Sequence, residues 1–375
     1  MRTIHRALVV PAALLALASA GPLTATAGGS PLNVRSASTA TVPVEPPAGV
    51  CAPSGIAFSF SDALDKLVVD GTTLGGLSDL AWDPVTGTYA STVDNHGTDP
   101  ARVWFVKDLA HPQVVGDPLV LRRPDGTAYD GTTADDEALA VLADGRLVVS
   151  SEVEPSIRIF GTDGMQQASL PVPHRFRVAP KGQATENATL EGLTVSPDGR
   201  QLVASMEGTL SGDVPRAGAP ADDRRFLVYR STASGWRLVK QVGYRVDDGM
   251  RIAEVQEYAT GRLLVLEAAY DPATGNAVRL YAVTGLGSAA DVTGVANLSR
   301  RPGLVMRKTL VADVASCPTL GATSPEPQRN PLMDNYEGMT TYPLTGHLYG
   351  VSLVSDDNFN PTQVTRVLNL AATLP

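Results

Sequence analysis

Carboxylates recur along this chain at positions that could together hold a hard cation. In "LEGLTVSPDGRQLVASMEG" (190–208), two apolar alternations flank a Pro-Asp-Gly turn, so the stretch reads as one β-hairpin. Glu191 and Glu207 stand at its two open ends. The unit recurs with Asp79 and Asp94 around Thr86-Gly87, and with Glu137 and Glu152 around Asp144-Gly145. It recurs again with Glu254 and Glu267 around Thr260-Gly261, and with Glu337 and Asp356 around Thr345-Gly346. Residues that face each other in a hairpin are numbered symmetrically about its turn, and each acid pair has its midpoint inside its own turn. Both acids of each hairpin are therefore expected at the end away from the turn.

Carboxylates brought that close repel one another, by roughly 4 kcal/mol for a pair about 4 Å apart at an effective dielectric near 20. Shared protons, arginines or a hard cation are the remedies. A donor set of oxygen without sulfur, and almost without histidine, suits Ca²⁺, Mg²⁺ or Mn²⁺. Glu137, Glu191, Glu254 and Glu337 are the expected ligands, with Glu152, Glu207, Glu267 and Asp356 as neighbouring acids or bases. The competing expectation is structural: acids that accept backbone N–H groups from the next unit, or pair with repeated arginines. None of the five histidines has metal-ligand spacing. No G-x-S-x-G elbow is present, which disfavours a Ser-His-Asp hydrolase.

The elements that must position these acids are short strands. After each hairpin comes a strand marked by an arginine among apolar residues: Arg102, Arg158, Arg225, Arg279 and Arg366. A fourth, weaker strand follows most of them, as in "RLVKQVGYRV". Repeated antiparallel four-stranded units predict an all-β fold, a β-propeller whose first strands line a central channel and place the acids at one mouth. The long interval between Glu254 and Glu337 leaves room for a further blade, so six blades are expected.

The first 27 residues have a basic start (Arg2, Arg6), an apolar run and small residues before two candidate cleavage points, the layout of a secretory signal peptide. Removing them shifts the formal net charge from −9 to −11, unfavourable for a nucleic-acid binder. Residues 28–50 read as a flexible linker, and residues 51–375 as the folded domain. No later run is long enough to span a bilayer. The chain is expected to be secreted, or periplasmic where the host has an outer membrane, and to be monomeric. In that compartment the two cysteines, Cys51 and Cys317, are expected to form a disulfide.

Several motifs carry a resemblance. They are Gly75-Gly76-Leu77-Ser78, Asp136-Glu137-Ala138-Leu139 with "DGRLVVSSE", Leu190-Glu191-Gly192-Leu193, "LLVLEAAYD", Asn335-Tyr336-Glu337-Gly338 and Ser355-Asp356-Asp357-Asn358-Phe359. Across residues 51–375 the chain resembles the exported phytase-like proteins described as having esterase-like activity. "TADDEALAV" also looks like the Asp-Asp-Pro-Ala signature of propeller phytases, with Glu137 where that signature has proline. The resemblance implies a propeller, a hydrolase acting on a small-molecule ester, and calcium as the metal. The Glu-Gly starts are similar to those of gluconolactonase-related propellers, which makes a lactone hydrolase one alternative. A non-catalytic exported propeller that binds a ligand or an envelope partner is another.

Overall fold

In the computed structural model, residues 49–94, 97–215 and 222–375 are described. The expected leader, most of the linker and His96 lie outside them. Each acid-bearing hairpin forms, and each turn is closed by a glycine at positive φ: Gly87, Gly145, Gly199, Gly261 and Gly346. Left-handed backbone at these points costs glycine nothing sterically. This is why the turns could be read locally.

Each hairpin continues outward into an antiparallel sheet of four strands, blade I having a split outer edge. Blade I is built on Ala81–Asp83, Thr88–Thr92 and Arg102–Lys107. Blade II comprises Asp136–Val141, Leu147–Ser151, Ser156–Phe160 and Gln166–Leu170. Blade III comprises Leu190–Val195, Gln201–Met206, Asp223–Thr232 and Gly235–Arg245. Blade IV comprises Arg251–Ala259, Arg262–Asp271, Gly275–Thr284 and Lys308–Asp313. Blade V has Tyr336–Thr345, Leu348–Ser355 and Val367–Thr373, and its outer strand is Ile56–Ser61 from the other end of the chain.

Successive side chains of a strand point to opposite faces, and the blades use both faces. In blade IV, Leu264 and Leu266 pack towards blade V while Leu263 and Val265 pack towards blade III. Five apolar clusters fill the five spaces between neighbouring blades, and the last joins Leu77 and Trp104 of blade I to Val354 and Val367 of blade V. The ring closes on itself.

It closes with five blades, which corrects the expectation of six. The residues that suggested a sixth form three short 3-10 turns, Leu286–Ser288, Leu298–Arg300 and Pro302–Leu304. This segment lies along the outer strand of blade III, with Val292 N donating to Gln241 O and Met306 N to Gly243 O. Buried Arg225 holds it, donating to Val292 O and Val295 O (2.7 Å each) while paired with Asp213. Its glycines, Pro302 and its lack of alternation prevent ladder formation.

The expected disulfide joins Cys51 to Cys317, tying the entry to blade V to the connection that leaves blade IV. Among the described residues, no helix is long and apolar enough to cross a membrane.

Candidate metal centre

The acids of the inner strands fall into two groups, and the strand register separates them. In every inner hairpin the pairing slips by one residue at the acidic end. Ser151 pairs with Asp136 but Val149 with Leu139; Leu190 pairs with Met206 but Leu193 with Ala204. The same slip separates Ile252–Glu267 from Glu254–Leu266, and Tyr336–Ser355 from Gly338–Val354. In blade I it falls between Leu77–Val93 and Ala81–Ala90. Such a bulge, one extra residue on one strand, re-aims the side chains beside it. Glu137, Glu191 and Glu337 come directly after the last paired residue ahead of the slip in their strands. Asp79 and Glu254 come one residue later, after Ser78 and Ala253, and a one-residue offset sends a side chain elsewhere.

The first group opens onto a cavity of about 290 Å³ at one mouth of the channel. Asp94, Glu137, Glu152, Glu191, Glu207 and Glu337 line it, together with Arg251 and the amides of Asn187, Asn335 and Asn358. Carboxylate oxygens of Asp94, Asp135 and Glu137 lie within 4.8 Å of one another, and so do those of Glu137, Glu152 and Glu191. Glu137 belongs to both groups, and Ser78 Oγ donates to it at 3.0 Å.

Burial, followed by the charges of Asp94 and Glu191, holds the Glu137 carboxyl well above its ordinary range. Glu191 is raised likewise, by burial and Glu207, with Arg251 opposing. Glu152 is pushed up to about 8 by burial and Glu207. Asp94 is pushed up to about 10 by burial and Asp356. The ring thus cannot be fully ionised without an added cation. The residues fit one: the donors are hard oxygens, their spacing lets one ion touch three carboxylates at Ca²⁺–oxygen distances of about 2.4 Å, and Asp135 Oδ1 is buried with no hydrogen-bond partner among the described residues.

Of the expected site residues, the mouth gathers Glu137, Glu191, Glu337, Glu152 and Glu207. Asp356 is buried behind them and hydrogen-bonded to Glu337. Glu254 lies elsewhere. It is buried deeper in the channel, accepts from Leu193 N at 3.0 Å, and hydrogen-bonds Asp79, which accepts from Leu139 N at 2.6 Å. Gly192 and Gly338 leave room for this pair, since a Cβ on either would collide with Glu254 Oε1 or the Asp79 backbone. Glu267 also leaves the mouth, because it stands one residue earlier than its counterparts and Ala268 takes the mouth position. It accepts from Tyr244 Oη (2.5 Å), Asp247 N (2.9 Å) and Lys308 Nζ (2.5 Å).

The third-strand arginines do not neutralise the ring. Arg225 pairs with Asp213, Arg366 with Asp62, Arg279 with Asp247 and Asp313, and Arg102 with Asp99. Arg158 lies over the Tyr129 ring. The structural expectation therefore fails for the repeated arginines, but its backbone half holds for Glu152, which accepts from Thr189 N of the next blade, and for Glu254 and Asp79. Three residues at the mouth are absent from the sequence-based set: Arg251, Asp94 as a site residue, and Asp135. Asp135 was adjacent to the Asp-Glu motif, and Asp94 was visible as the partner of Asp79.

Residues 72–359 match the phytase-like family described as having the esterase-like activity of phytase. No curated protein matches. Among solved structures, the chain is similar to a gluconolactonase from Xanthomonas campestris at 16% identity and TM-score 0.35, covering 86% of this chain and 91% of that one. It is also similar to a virginiamycin B lyase from Staphylococcus aureus at 10% identity and TM-score 0.34, covering 82% and 69%. Likenesses at this level carry no inference.

Proposed function

The chain belongs to the phytase-like family, and on that footing we propose that it is a secreted, metal-dependent hydrolase of phosphoric or carboxylic esters acting at the acidic mouth. The observation that carries this reading is the pair of three-carboxylate groups sharing Glu137. Asp94, Asp135, Glu137, Glu152 and Glu191 would hold the cation, calcium being the one expected. Bound there, it would polarise an ester oxygen and acidify a water.

The remaining residues have separate tasks. Glu207 lines the cavity outside both three-carboxylate groups, and burial raises its pKa with Arg251 opposing, which makes it the better proton acceptor of the mouth acids left free of the cation. Glu152, expected as an acid or base, stands among the ligands instead. Asn187 and Asn358 offer amide groups at the cavity wall that can orient a small ester. Glu254, Glu267 and Asp356 have no place in the step. The disulfide and the leader-like first 27 residues support an exported protein.

The test is hydrolysis of a phosphate monoester, a carboxylic ester and a lactone by chelator-treated protein, before and after Ca²⁺ addition. Calcium-restored turnover of either ester is expected. Turnover of the lactone alone would move the reading to a lactonase, and calcium binding without any turnover would move it to a binding protein. If chelation altered neither melting temperature nor hydrolysis, the reading would fail.

A further inference from the structure

Four of the five blades bring acids to the mouth; blade IV brings an arginine. The residue just before the last pair ahead of the register slip is Gly76, Asp135, Thr189, Arg251 and Asn335 in the inner strands of blades I to V. Blade IV also has alanines, Ala253 and Ala268, at the two positions where blades II, III and V have acids. Arg251 occupies the volume so released.

Its guanidinium has nearly all its donors engaged. Nη1 lies 2.7 Å from Glu191 and 3.3 Å from Glu207, and Nη2 lies 2.5 Å from Glu337 and 3.1 Å from Asn335 Oδ1. Burial of the guanidinium is compensated by the three carboxylates of Glu337, Glu191 and Glu207 around it. The segment that delivers it is anchored. Asp247 N donates to Glu267, and the Asp247 carboxylate takes Lys308 and Arg279 at 2.8 Å each. Arg224 Nη2 donates to Met250 O at 3.0 Å. The ring is thereby divided. Asp94, Asp135, Glu137 and Glu152 face one another, while Glu207 and Glu337 face a fixed cation; Glu191 belongs to both halves.

We infer that Arg251 is a tethered counter-cation, standing where Glu191, Glu207 and Glu337 would otherwise gather a further divalent ion, and so limiting how many ions the mouth takes up. The inference rests on the reading that the other half of the ring binds a cation. A role as a clamp for an anionic substrate fits less well, because an arriving phosphate would meet three carboxylates around the same guanidinium. Methionine in its place has similar length and no charge and leaves Glu191, Glu207 and Glu337 without their shared counter-charge, whereas lysine keeps it.

The experiment counts Ca²⁺ bound per folded chain by equilibrium dialysis and calorimetry, with Tb³⁺ luminescence as a second probe. Arg251→Met is expected to bind one ion more than the wild type, and Arg251→Lys the wild-type number. The double variant Arg251→Met/Glu337→Gln should lose the added ion or bind it at least tenfold more weakly. Should Arg251→Met fold poorly without metal, its melting temperature should rise with Ca²⁺ by more than that of the wild type. Equal ion counts and equal calcium-dependent shifts in Arg251→Met and wild type would overturn the inference alone. No ion bound by the wild type would overturn the reading of the mouth itself.

Discussion

The two mouths of the channel are built by the same five inner strands and differ in nearly every chemical respect. The end away from the turns is the acidic ring. The turn end is a wider depression of about 540 Å³ lined by all five blades, including Trp82, Leu139, Val195, Tyr258 and Tyr349. Between them lie buried Asp79 and Glu254, joined by a hydrogen bond and to the backbones of blades II and III. A strand passing from one mouth to the other changes from carboxylate to apolar within a few residues: Glu137 faces the ring, and Leu139 faces the depression. The lesson is that the ring is not a general property of the blades. It exists where bulges turn selected side chains inwards, and among the described residues lining the other end Asp198 and Glu257 are the only carboxylates.

The largest effect should come from Glu137, the one acid in both groups. Glu137→Gln should weaken Ca²⁺ binding by more than the ~10–100-fold cost of losing an outer partner of a metal site, and should abolish calcium-dependent hydrolysis. Calorimetry on the folded variant checks the first, and initial rates check the second. Unchanged calcium affinity would break the distinction between the two mouths.

The buried pair between the mouths should show in the pH dependence of stability. Burial pushes Asp79 up to about 7 from an ordinary 3.8, and Glu254 is raised too. Between those values the native state keeps a proton that the unfolded chain has released, so stability falls as pH rises from about 4 to about 7. Glu137 and Glu191 share that sign without metal, and saturating Ca²⁺ should remove their part. Melting curves from pH 4 to 8 in saturating Ca²⁺ should still slope downwards in the wild type and less steeply in Asp79→Asn, where buried Asp136 and Asp334, raised to about 7 and about 6, keep part of the slope. An equal slope in both proteins would exclude Asp79 as its source.

Gly192 sharpens the same boundary. A methyl group there meets Ser205 Oγ and Val255 N at 2.7 Å and Glu254 Oε1 at 2.9 Å. Gly192→Ala should therefore cost about 1–3 kcal/mol, the usual range for overpacking, read from denaturant unfolding. A neutral result would mean that Glu254 is free to move away.

Most of the architecture was legible in the sequence because it is local. The alternation and the glycine turns at Gly87, Gly145, Gly199, Gly261 and Gly346 depend only on neighbouring residues, and they formed as read. The blade number was less so, because the 286–304 segment is held by tertiary contacts from Arg225 that leave no periodic trace. The site was half legible. Midpoint symmetry cannot detect compensating offsets, and in blade IV Glu254 lies one residue late and Glu267 one residue early about an unchanged centre. Both leave the mouth without disturbing the pattern that nominated them. Arg251 had a signal: it is the one basic residue among the four that precede the last pair ahead of the slip in any inner strand. What that position does required the register.

The smallest expected effect lies at the other mouth. Trp82 is 48% exposed at the rim of the depression and meets Tyr89 edge-on, with ring centroids 5.0 Å apart. Half its surface already faces water, and an edge-on aromatic contact contributes only about 0.5–1.5 kcal/mol beyond its buried area. Trp82→Ala should thus destabilise by about 1–2 kcal/mol through Tyr89 and leave calcium affinity and ester turnover at wild-type values. The chain between Trp82 and the ring passes through Asp79, whose carboxylate is held by Leu80 N and Leu139 N, so a loosened rim has no direct route to the metal residues. A change in calcium affinity beyond about twofold in this variant would mean that the two mouths are coupled through that pair. The channel would then have to be treated as one site rather than two.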